Sequence, residues 1–447
     1  MANTKLTQTF ASAGTGTKWT LSAWIKRSAT GIDQYIMSRY VNSTKYVKIL
    51  FNDADTLEYS VYNNNAGGYQ ARYKTSAKYR DISAWYHIVI AQDSSLGTAA
   101  DRVKFYVNGE LITSFGTNTQ IGQNVAGDFN NATAHQIGAY NSTNYFQGSM
   151  SHFHFCDNQQ YAASDFGSVD STTGEWEINT SPSVSYGTTG FTILKDGNTI
   201  TDQSANSNNW TLGSGTLTNT EDCPDNVFAT LNALLKPSDY TLSQGNNTIA
   251  YGSSSSRACC LSTLGMSSGK FYAELKITAT STTPCQGSVG IANNSDNTNS
   301  GYYPSQGNSD NAASYQFWDG TKNVGTVGAA YGNTVAANDI MGFAFDIDNK
   351  AMYVSKNGVW QASGVPTSGA SKTNAIDFSS ITDNGFWFLI VGDGSGVQTF
   401  TSSFNFGNGY FGTTAISSEG SNASGIGKFE YDVPTNYTAL STKGLNI

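Results

Sequence analysis

Two short stretches of this sequence, KFYVNGELI (residues 104–112) and DNKAMYVSKNGVW (residues 348–360), place an Asn-Gly pair between runs of alternating polar and apolar residues. A two-residue reversal of type I′ needs positive φ at both central positions, which Asn-Gly tolerates best. Period-two alternation puts the apolar side chains of a strand on one face. Each stretch therefore predicts an antiparallel β-hairpin, so the same tight turn is used twice along one chain.

Alternating segments recur along most of the chain, separated by clusters of Gly, Asn and Asp, which favour turns. Charged residues make up only 13% of the sequence, whereas it holds 25 Tyr, 23 Phe and 46 Gly. This composition is typical of an all-β chain with many turns. Only residues 161–167 and 226–235 are compatible with a turn or two of helix. We expect an all-β protein of two antiparallel, jelly-roll-like β-sandwich domains in tandem.

The chain has 447 residues, which is more than one hydrophobic core usually serves. Residues 200–225 hold few large apolar side chains apart from Trp210, and they end in Pro224-Asp225. Alternation resumes after them. The sequence therefore predicts a first domain over residues 1–222 and a second over residues 223–447.

Charge and hydropathy argue against two classes of partner. Acidic residues outnumber basic ones by 33 to 24, and the basic residues are scattered, whereas a protein that binds nucleic acid through its phosphates needs a basic patch. No apolar run approaches the ~18 residues of a membrane-spanning helix, and the N-terminus has no secretory-signal pattern. We expect no nucleic acid, no membrane insertion, and synthesis in a cytoplasm.

The first domain resembles the concanavalin A-like, laminin-G-like sandwich. The matching phrases, in the order typical of that family, are WTLSAWIKRS (19–28), WYHIVIAQDSS (85–95), DRVKFYVNGELI (101–112) and HQIGAYNSTNYFQGSMSHFHFCDNQQYAASDFG (135–167). STTGEW (171–176) and DQSANSNNWT (202–211) look like the tail of the same module. The resemblance implies a β-sandwich over the first domain.

The second domain resembles a SPRY domain. The matching phrases are SSGKFYAELKI (267–277), VGIAN (289–293), DIMGFAFDIDNKAMYVSKNGVW (339–360), FNFG (404–407) and VPTNYTAL (433–440). SPRY modules mostly bind protein segments with loops at one end of the sandwich. The resemblance therefore implies a recognition module.

The pairing of the two modules, with DFGSVDSTTGEW (165–176) between them and DNVFATLNALL (225–235) opening the second, resembles virion proteins of tailed bacteriophages. This resemblance implies a protein that is made in the host cytoplasm, is released by lysis and is displayed on the virion surface. It also implies contacts with other virion proteins and a homo-oligomer in the particle.

The sequence offers no catalytic constellation. Some concanavalin A-like proteins are glucanases whose carboxylates alternate along one strand, but the nearest such pair, Asp346 and Asp348, borders a turn and lacks a third carboxylate. His152 and His154 share a strand face without a further ligand nearby, so we expect structural histidines. The five cysteines show no zinc spacing and are expected to be reduced thiols. We predict no enzyme activity and no metal site.

The resemblance leaves one metal possible, calcium, because concanavalin A-like modules sometimes bind a surface calcium ion through loop oxygen atoms. Asp53, Asp55 and Asp296 lie in loops of suitable composition. Solvated turns explain the same residues. We expect no cofactor, with a surface calcium as the alternative.

Several loops place aromatic side chains among amides, as sugar-binding sites do. The candidate ligand-binding residues are Tyr69, Tyr140, Tyr145, Tyr302, Tyr303 and Trp318, the last expected to point away from Phe317. Exposed aromatic side chains also mark protein interfaces, so packing against loops or a neighbouring subunit is the alternative reading of the tyrosines.

The expected function is that of a non-enzymatic virion surface protein, a tail-fibre or appendage protein that contacts a glycan or protein of the host surface. The alternative is a structural capsid-decoration or appendage subunit that binds other virion proteins. A polysaccharide-degrading spike is the least favoured reading, because it needs the paired carboxylates that the sequence lacks.

Overall fold

In a computed structural model, residues 3–195, 199–252, 259–293, 311–393 and 398–447 are described. The chain is nearly all-β and divides into two compact units, residues 1–219 and 220–447. This confirms the predicted fold class. The second unit begins three residues before the expected position, because Glu221 already pairs with Lys428 (2.8 Å) and the Asp222 carboxylate accepts the Phe228 N–H (3.2 Å).

In the described part of the first unit there are 18 strands. They are β1 (Lys5–Thr9), β2 (Lys18–Arg27), β3 (Gln34–Asn42), β4 (Lys45–Phe51), β5 (Leu57–Asn63), β6 (Gly68–Thr75), β7 (Trp85–Asp93), β8 (Val103–Val107), β9 (Glu110–Leu111), β10 (Phe115–Thr119), β11 (Ala134–Ile137), β12 (Ala139–Tyr140), β13 (Asn144–Tyr145), β14 (Gly148–Asp157), β15 (Gly167–Val169), β16 (Trp176–Ile178), β17 (Phe191–Ile193) and β18 (Thr211–Ser214).

These strands form two main antiparallel sheets. One has the order β10-β6-β5-β4-β3-β11-β1-β18, and the other the order β17-β14-β2-β7-β8-β9. Their facing sides share one hydrophobic core, in which Trp19 of β2 meets Tyr59 of β5 edge-on at 5.5 Å between ring centroids. The alternation in the sequence places Leu21 of β2 and Ile49 of β4 in this core.

The outer face of the six-stranded sheet is covered by residues 158–190, called here the covering segment. Val89 and Cys156 of the sheet are buried with Phe166 of the segment, and the Trp176 side chain packs against them. The Trp176 indole N–H also donates to Nδ1 of His87 (3.0 Å). Because both faces are covered, every residue of β2 from Trp19 to Arg27 is buried.

Among the described residues of the second unit there are 17 strands. They are β19 (Tyr240–Ser243), β20 (Thr248–Tyr251), β21 (Cys259–Leu261), β22 (Lys270–Thr280), β23 (Gly287–Asn293), β24 (Ala312–Gln316), β25 (Thr321–Val324), β26 (Val327–Ala330), β27 (Ile340–Asp346), β28 (Ala351–Lys356), β29 (Val359–Trp360), β30 (Ile376–Asp377), β31 (Trp387–Asp393), β32 (Phe400–Asn405), β33 (Tyr410–Phe411), β34 (Thr414–Ala415) and β35 (Thr438–Ala439).

This unit also packs two sheets around one core. The larger has the order β19-β20-β32-β22-β27-β28-β29, with β30 beside β28 and β35 beside β22, and the smaller has the order β21-β31-β23-β24-β25-β26. Phe343 of β27 and Leu389 of β31 meet in the core between them. Late residues cover the outer face of the larger sheet, where Phe429 and Tyr437 pack with Tyr272 of β22.

The two Asn-Gly hairpins have the predicted geometry. Asn108 and Gly109 have φ values of 48° and 83°, and Asn357 and Gly358 have 50° and 81°. Asn108 donates its backbone N–H to the carbonyl of His87 (2.9 Å) and accepts the His87 N–H on its side-chain oxygen (2.8 Å). Asn357 makes the same two bonds with Ile340, at 2.7 and 2.8 Å. Each asparagine thus ties its turn to the neighbouring strand.

Helices in the described ranges are short 3₁₀ segments of three to six residues. They span Asn64–Ala66, Ala99–Asp101, Ala163–Asp165, Gln361–Ser363, Pro366–Ser371 and Gly444–Asn446. A helix over residues 226–235 is wrong, because residues within 226–231 form isolated β-bridges and residues 233–235 lie in a turn. Phe228 bridges to Ser441 and Leu231 to Ser262, and these contacts bury both apolar side chains.

Candidate functional site

The outer face of the eight-stranded sheet carries a cluster of tyrosines. In β4 and β5, Val47, Ile49 and Val61 face the core, so their neighbours in sequence face outward. Along β3 to β6 the outward positions are rich in tyrosine, and a hairpin that follows β11 adds one more. We call this cluster the tyrosine face; it consists of Tyr35, Tyr40, Tyr46, Tyr62, Tyr69 and Tyr140.

The six rings form one continuous chain of contacts. Tyr69 meets Tyr62 at 4.9 Å between ring centroids, and Tyr62 stacks on Tyr46 at 5.0 Å. Tyr46 meets Tyr140 at 5.8 Å, and Tyr140 in turn stacks on Tyr35 at 4.8 Å. Tyr40 completes the cluster with an edge contact to Tyr140 at 5.1 Å. All except Tyr35 are half-buried, so each ring leaves part of its surface to solvent.

Two cations lie on these rings. The Lys48 ammonium is 5.6 Å from the ring centroids of Tyr35 and Tyr46 and 5.8 Å from that of Tyr140. The Arg72 guanidinium lies 4.4 Å from the Tyr69 centroid. Contacts at this distance are attractive, because the ring face carries partial negative charge. They hold both cationic side chains against the sheet.

One carboxylate, Glu58 of β5, lies beside the tyrosine face and is almost fully buried. It accepts hydrogen bonds from the Ser60 hydroxyl (2.6 Å) and from Nε of Arg72 (3.3 Å), and it pairs with Lys74 (3.2 Å). Burial alone would raise its pKa, but the Ser60 hydrogen bond and the charges of Lys48, Lys74 and Arg72 outweigh burial and hold the pKa below its ordinary value. Glu58 therefore stays ionised at neutral pH.

Three of these tyrosines, Tyr35, Tyr46 and Tyr140, stay neutral. Burial, together with neighbouring side chains, raises the pKa of Tyr140 to about 12 and raises those of Tyr35 and Tyr46. The Tyr46 and Tyr69 hydroxyls approach to 3.4 Å. The face can thus offer flat apolar surface and hydroxyl groups that both donate and accept hydrogen bonds.

Two of the predicted ligand-binding residues, Tyr69 and Tyr140, belong to the tyrosine face and are joined through Tyr62 and Tyr46. Tyr145 lies opposite Ala139 in the hairpin that carries Tyr140, and its hydroxyl donates to the Ser142 carbonyl (2.9 Å).

The other three predicted residues belong to the second unit. Trp318 is half-buried in the second unit beside the fully buried Phe317, and its role stays a prediction. Tyr302 and Tyr303 lie outside the described residues.

Sequence reasoning missed most of the cluster. Tyr35, Tyr46 and Tyr62 sit inside strands, whereas the sequence directed attention to loops. A signal was present, because Tyr46 and Lys48 of β4 alternate with core residues, as do Glu58 and Tyr62 of β5. Which tyrosines meet depends on the register, such as Tyr46 opposite Tyr62 in the β4–β5 pairing.

The proposed calcium ligand Asp55 is engaged elsewhere. Its carboxylate pairs with Arg27 (2.9 Å) and Arg80 (3.0 Å) and accepts the Gly31 N–H (2.8 Å). Burial favours a higher pKa, but these donors outweigh it and lower the pKa. Asp53 is exposed in a turn, and Asp296 lies outside the described residues. Among the described side chains, no group of three His, Cys, Asp or Glu converges as metal ligands.

The carboxylates and histidines weighed as catalytic groups have structural partners. Asp346 pairs with Lys270 (2.7 Å), and Asp348 accepts the Gly269 N–H (2.9 Å). His154 contacts the Tyr186 hydroxyl through Nδ1 (2.9 Å). Burial lowers the pKa of His87 to about 3, so it is neutral and accepts the Trp176 N–H. These contacts give each of the residues named here a structural role.

Glu274 of β22 is the group with the pKa most typical of a catalytic acid. Burial raises its pKa to about 7, against the opposing effect of four hydrogen-bond donors. The backbone N–H groups of Glu430 and Tyr431 both donate at 2.9 Å, joined by the Asn405 amide (3.2 Å) and the Tyr272 hydroxyl (3.2 Å). Because Glu274 has no exposed surface, it anchors the 430–431 backbone and does not face a substrate.

Comparison with known proteins shows that most of the first unit is similar to one protein family. Residues 3–163 match the laminin G family model described as the concanavalin A-like lectin/glucanases superfamily. Among curated proteins, none matches the sequence. Within the described ranges, no helix reaches the length and hydrophobicity needed to span a bilayer.

Three solved structures illustrate the structural likeness. The SPRY domain of human HERC1 is 12% identical, with a TM-score of 0.31 over 39% of this chain and 96% of that chain. A human SPRY domain is 14% identical, with a TM-score of 0.28 over 37% of this chain and 94% of that one. Stonustoxin is 13% identical, with a TM-score of 0.29 over 40% of this chain and only 27% of the toxin chain. The SPRY character of the second unit stays a prediction at these TM-scores, whereas the first unit contains a laminin G-like β-sandwich.

Proposed function

We propose that this chain is a non-enzymatic recognition protein on the surface of a tailed-bacteriophage virion, a tail-fibre or appendage protein whose first unit contacts a glycan of the host surface. The observation that carries the proposal is the tyrosine face. The covering segment covers the outer face of the six-stranded sheet in the first unit, and late residues cover that of the larger sheet in the second, whereas Tyr46, Tyr62 and Tyr69 keep solvent-accessible ring surface.

The tyrosine face suits a sugar for two physical reasons. Tyrosine combines a flat apolar ring with a polar tip, so it can stack on a pyranose face and bond its hydroxyls. The rings also hold one another in place, with Tyr62 stacked on Tyr46 and Tyr140 on Tyr35. A ligand therefore meets side chains that are already ordered and loses less conformational entropy on binding.

The absence of catalysis in this proposal is supported by the partners of the acidic side chains. Hydrolysis of a glycosidic bond needs two carboxyl groups on either side of one substrate site. Asp55, Asp346 and Glu58 are each paired with Lys or Arg, and Glu274 is enclosed. Each is used to hold the fold.

Adsorption to host cells tests the proposal. The folded full-length chain, labelled with a fluorophore and multimerised, should bind host cells and compete with infection. The double variant Tyr46→Ala/Tyr62→Ala should weaken adsorption by about tenfold or more, because aromatic anchors dominate such contacts. The matched control is Tyr410→Ala, a half-buried tyrosine of the second unit.

Treatment of the cells identifies the ligand class. Periodate, which cleaves sugar diols, should abolish adsorption, and protease should not. Loss with protease alone would replace the glycan by a host protein. No adsorption by the folded, multimerised chain would overturn the host-contact function.

A second candidate, a structural subunit of the virion that binds its own copies, is favoured by strand β26. This strand, Val327–Ala330, is the edge of the smaller sheet in the second unit, and all four of its residues are exposed, Val327 by 70%. It carries no charge and no proline, the features that usually block edge-to-edge pairing. Ala329→Lys should then reduce self-association measured by light scattering, and Val169→Lys, at an exposed apolar position of the first unit, should not.

A further inference from the structure

We infer that the tyrosine face takes an anionic glycan, one whose sugar rings carry carboxylate groups. The inference rests on the proposed function and narrows its ligand. It begins from an imbalance of charge. Strands β3 to β6 contain five basic residues and one acidic residue, in a chain whose net charge is −9. The basic residues are Arg39, Lys45, Lys48, Arg72 and Lys74.

Two of these five cations share one carboxylate, and the other three share a second one. Arg39 and Lys45 both pair with Asp128, at 3.3 and 3.4 Å. Lys48, Arg72 and Lys74 surround Glu58, whose single negative charge offsets one of theirs. These three cations therefore exceed the charge of Glu58 by two, and one further carboxylate, Asp33, lies at the Tyr35 end of the rings, where it accepts a hydrogen bond from the Tyr35 hydroxyl (3.2 Å).

Lys48 contributes most directly to this excess. None of the ion pairs found among the described residues includes it, although its charge lowers the pKa of Glu58. Three tyrosine rings hold its ammonium group at 5.6 to 5.8 Å. The side chain is thus ordered by the rings, and its charge is left for an anion outside the chain.

Arg72 offers a second binding point at the opposite end of the ring chain. Only its Nε atom bonds to Glu58, and in the described structure its two terminal NH₂ groups make no hydrogen bond. The guanidinium is held by the Tyr69 ring. A planar guanidinium with free terminal donors fits a carboxylate better than a point charge does.

The two cations and the rings between them define the ligand class. Tyr62 lies between Tyr46, one of the rings that hold Lys48, and Tyr69, the ring that holds Arg72. Sugar rings stack on the tyrosines, and carboxylates attached to those rings reach the cations. A polymer of hexuronic acid has this combination in every residue, whereas a neutral glycan leaves both cations uncompensated.

Binding of model polysaccharides to the full-length chain tests the inference. Alginate oligosaccharides are the uronate probe, carboxyl-reduced alginate is the neutral probe of matched length, and dextran sulfate tests whether any polyanion suffices. Calorimetric titration should show binding of alginate at least about tenfold tighter than of its reduced form, and affinity should fall as salt is raised.

Single substitutions distinguish specific binding at the tyrosine face from non-specific electrostatic attraction of a polyanion to the protein. Lys48→Met and Arg72→Gln should each weaken alginate binding by roughly tenfold, and Arg72→Lys should restore only part of it. Lys276→Met, which removes a half-buried lysine of the second unit, should change nothing.

Equal affinity for the neutral probe, equal affinity for dextran sulfate, or alginate binding unchanged by both variants would overturn the inference. A chain that adsorbs to host cells through the tyrosines yet binds neutral and acidic glycans alike keeps the proposed function and loses this narrower claim. If the chain binds alginate but never adsorbs to cells, the anionic-glycan site is retained and the proposed host-contact function is lost.

Discussion

The ring of Tyr431 lies against the α-carbon of Gly358, where a β-carbon would come within 2.7 Å of the ring atom Cδ1. The first unit has the same arrangement, since a β-carbon on Gly109 would lie 2.3 Å from the Trp176 ring. Each Asn-Gly turn is thus closed by an aromatic side chain from a later part of its own unit. Glycine is needed there twice over, for positive φ and for the space that the ring occupies.

Replacing these glycines should destabilise the unit that carries them. Gly358→Ala adds the strain of positive φ, about 1–2 kcal/mol, to a clash worth a further 1–3 kcal/mol or so. Gly385→Ala is the matched control, because Gly385 has φ of 94° and nothing within 4 Å of an added β-carbon. Urea unfolding should show the larger loss for Gly358→Ala. Equal losses would mean that the Tyr431 ring moves aside freely.

Breaking the buried ion pair of the first unit should cost far more than breaking an exposed one. Asp55→Asn keeps a side chain suited to the φ of 65° at this position but leaves Arg27, fully buried, without its carboxylate. We expect a loss of about 3–5 kcal/mol in the free energy of unfolding.

Asp101→Asn is the comparison for this change, because Asp101 is half exposed in its pair with Lys104. An exposed pair contributes less than about 1 kcal/mol. Chemical denaturation measures both variants. Similar small effects would show that Arg80 and neighbouring carbonyls suffice to compensate Arg27.

Stability of the second unit should fall as pH rises from 5 to 8 through Glu274. Its pKa is about 7 in the folded chain, against an ordinary value of 4.5 for a glutamate, so between these two pH values the folded state retains a proton that the unfolded state has released. The contribution is fully present below pH 4.5 and is lost as pH passes 7. It amounts to on the order of 3 kcal/mol.

Glu274→Gln isolates this contribution, because the other carboxyl groups titrate equally in both proteins. The free energy of unfolding of wild type minus that of the variant should decrease between pH 5 and pH 8. Parallel pH profiles would show that the four hydrogen-bond donors keep the carboxyl ionised at all these pH values.

The two units should unfold independently. Fragments 1–219 and 220–447 should each give a β-type circular dichroism spectrum and a cooperative melt, since each holds its own core. A fragment that ends at residue 163 should not, because it lacks Phe166 and Trp176 of the covering segment and Trp210 of the core. A cooperative melt of the 1–163 fragment would show the covering segment to be dispensable.

Local patterns predicted the strands and turns, because they depend on neighbours in sequence. Alternation placed Leu21 and Ile49 toward a core, and the Asn108 and Asn357 turns follow from backbone preference alone. The stretch 226–235 was misread as possible helix, because its bridges to Ser441 and Ser262 are distant in sequence.

The tyrosine face could not be predicted from local sequence patterns. The tyrosines were visible individually, but the contact of Tyr46 with Tyr62 depends on strand register, and that of Tyr140 with Tyr35 depends on how a hairpin folds over β3. The charge excess around Glu58 was hidden for the same reason, since Lys48, Arg72 and Lys74 come from two different strands.

The covering segment lies almost entirely outside the residues that match the laminin G family model, yet the first unit needs it to bury one face of its six-stranded sheet. The laminin G match ends at residue 163, yet Val89 and His87 on the outer face of the six-stranded sheet depend on Phe166 and Trp176 for their burial. Substitutions at Trp24 and at Trp176 should therefore be energetically coupled, since both rings stack on His87. The shortest segment that can be transferred between proteins as a folded domain is then longer than the region that the family model matches. Recombination at residue 163 would produce a β-sandwich whose six-stranded sheet has an uncovered outer face.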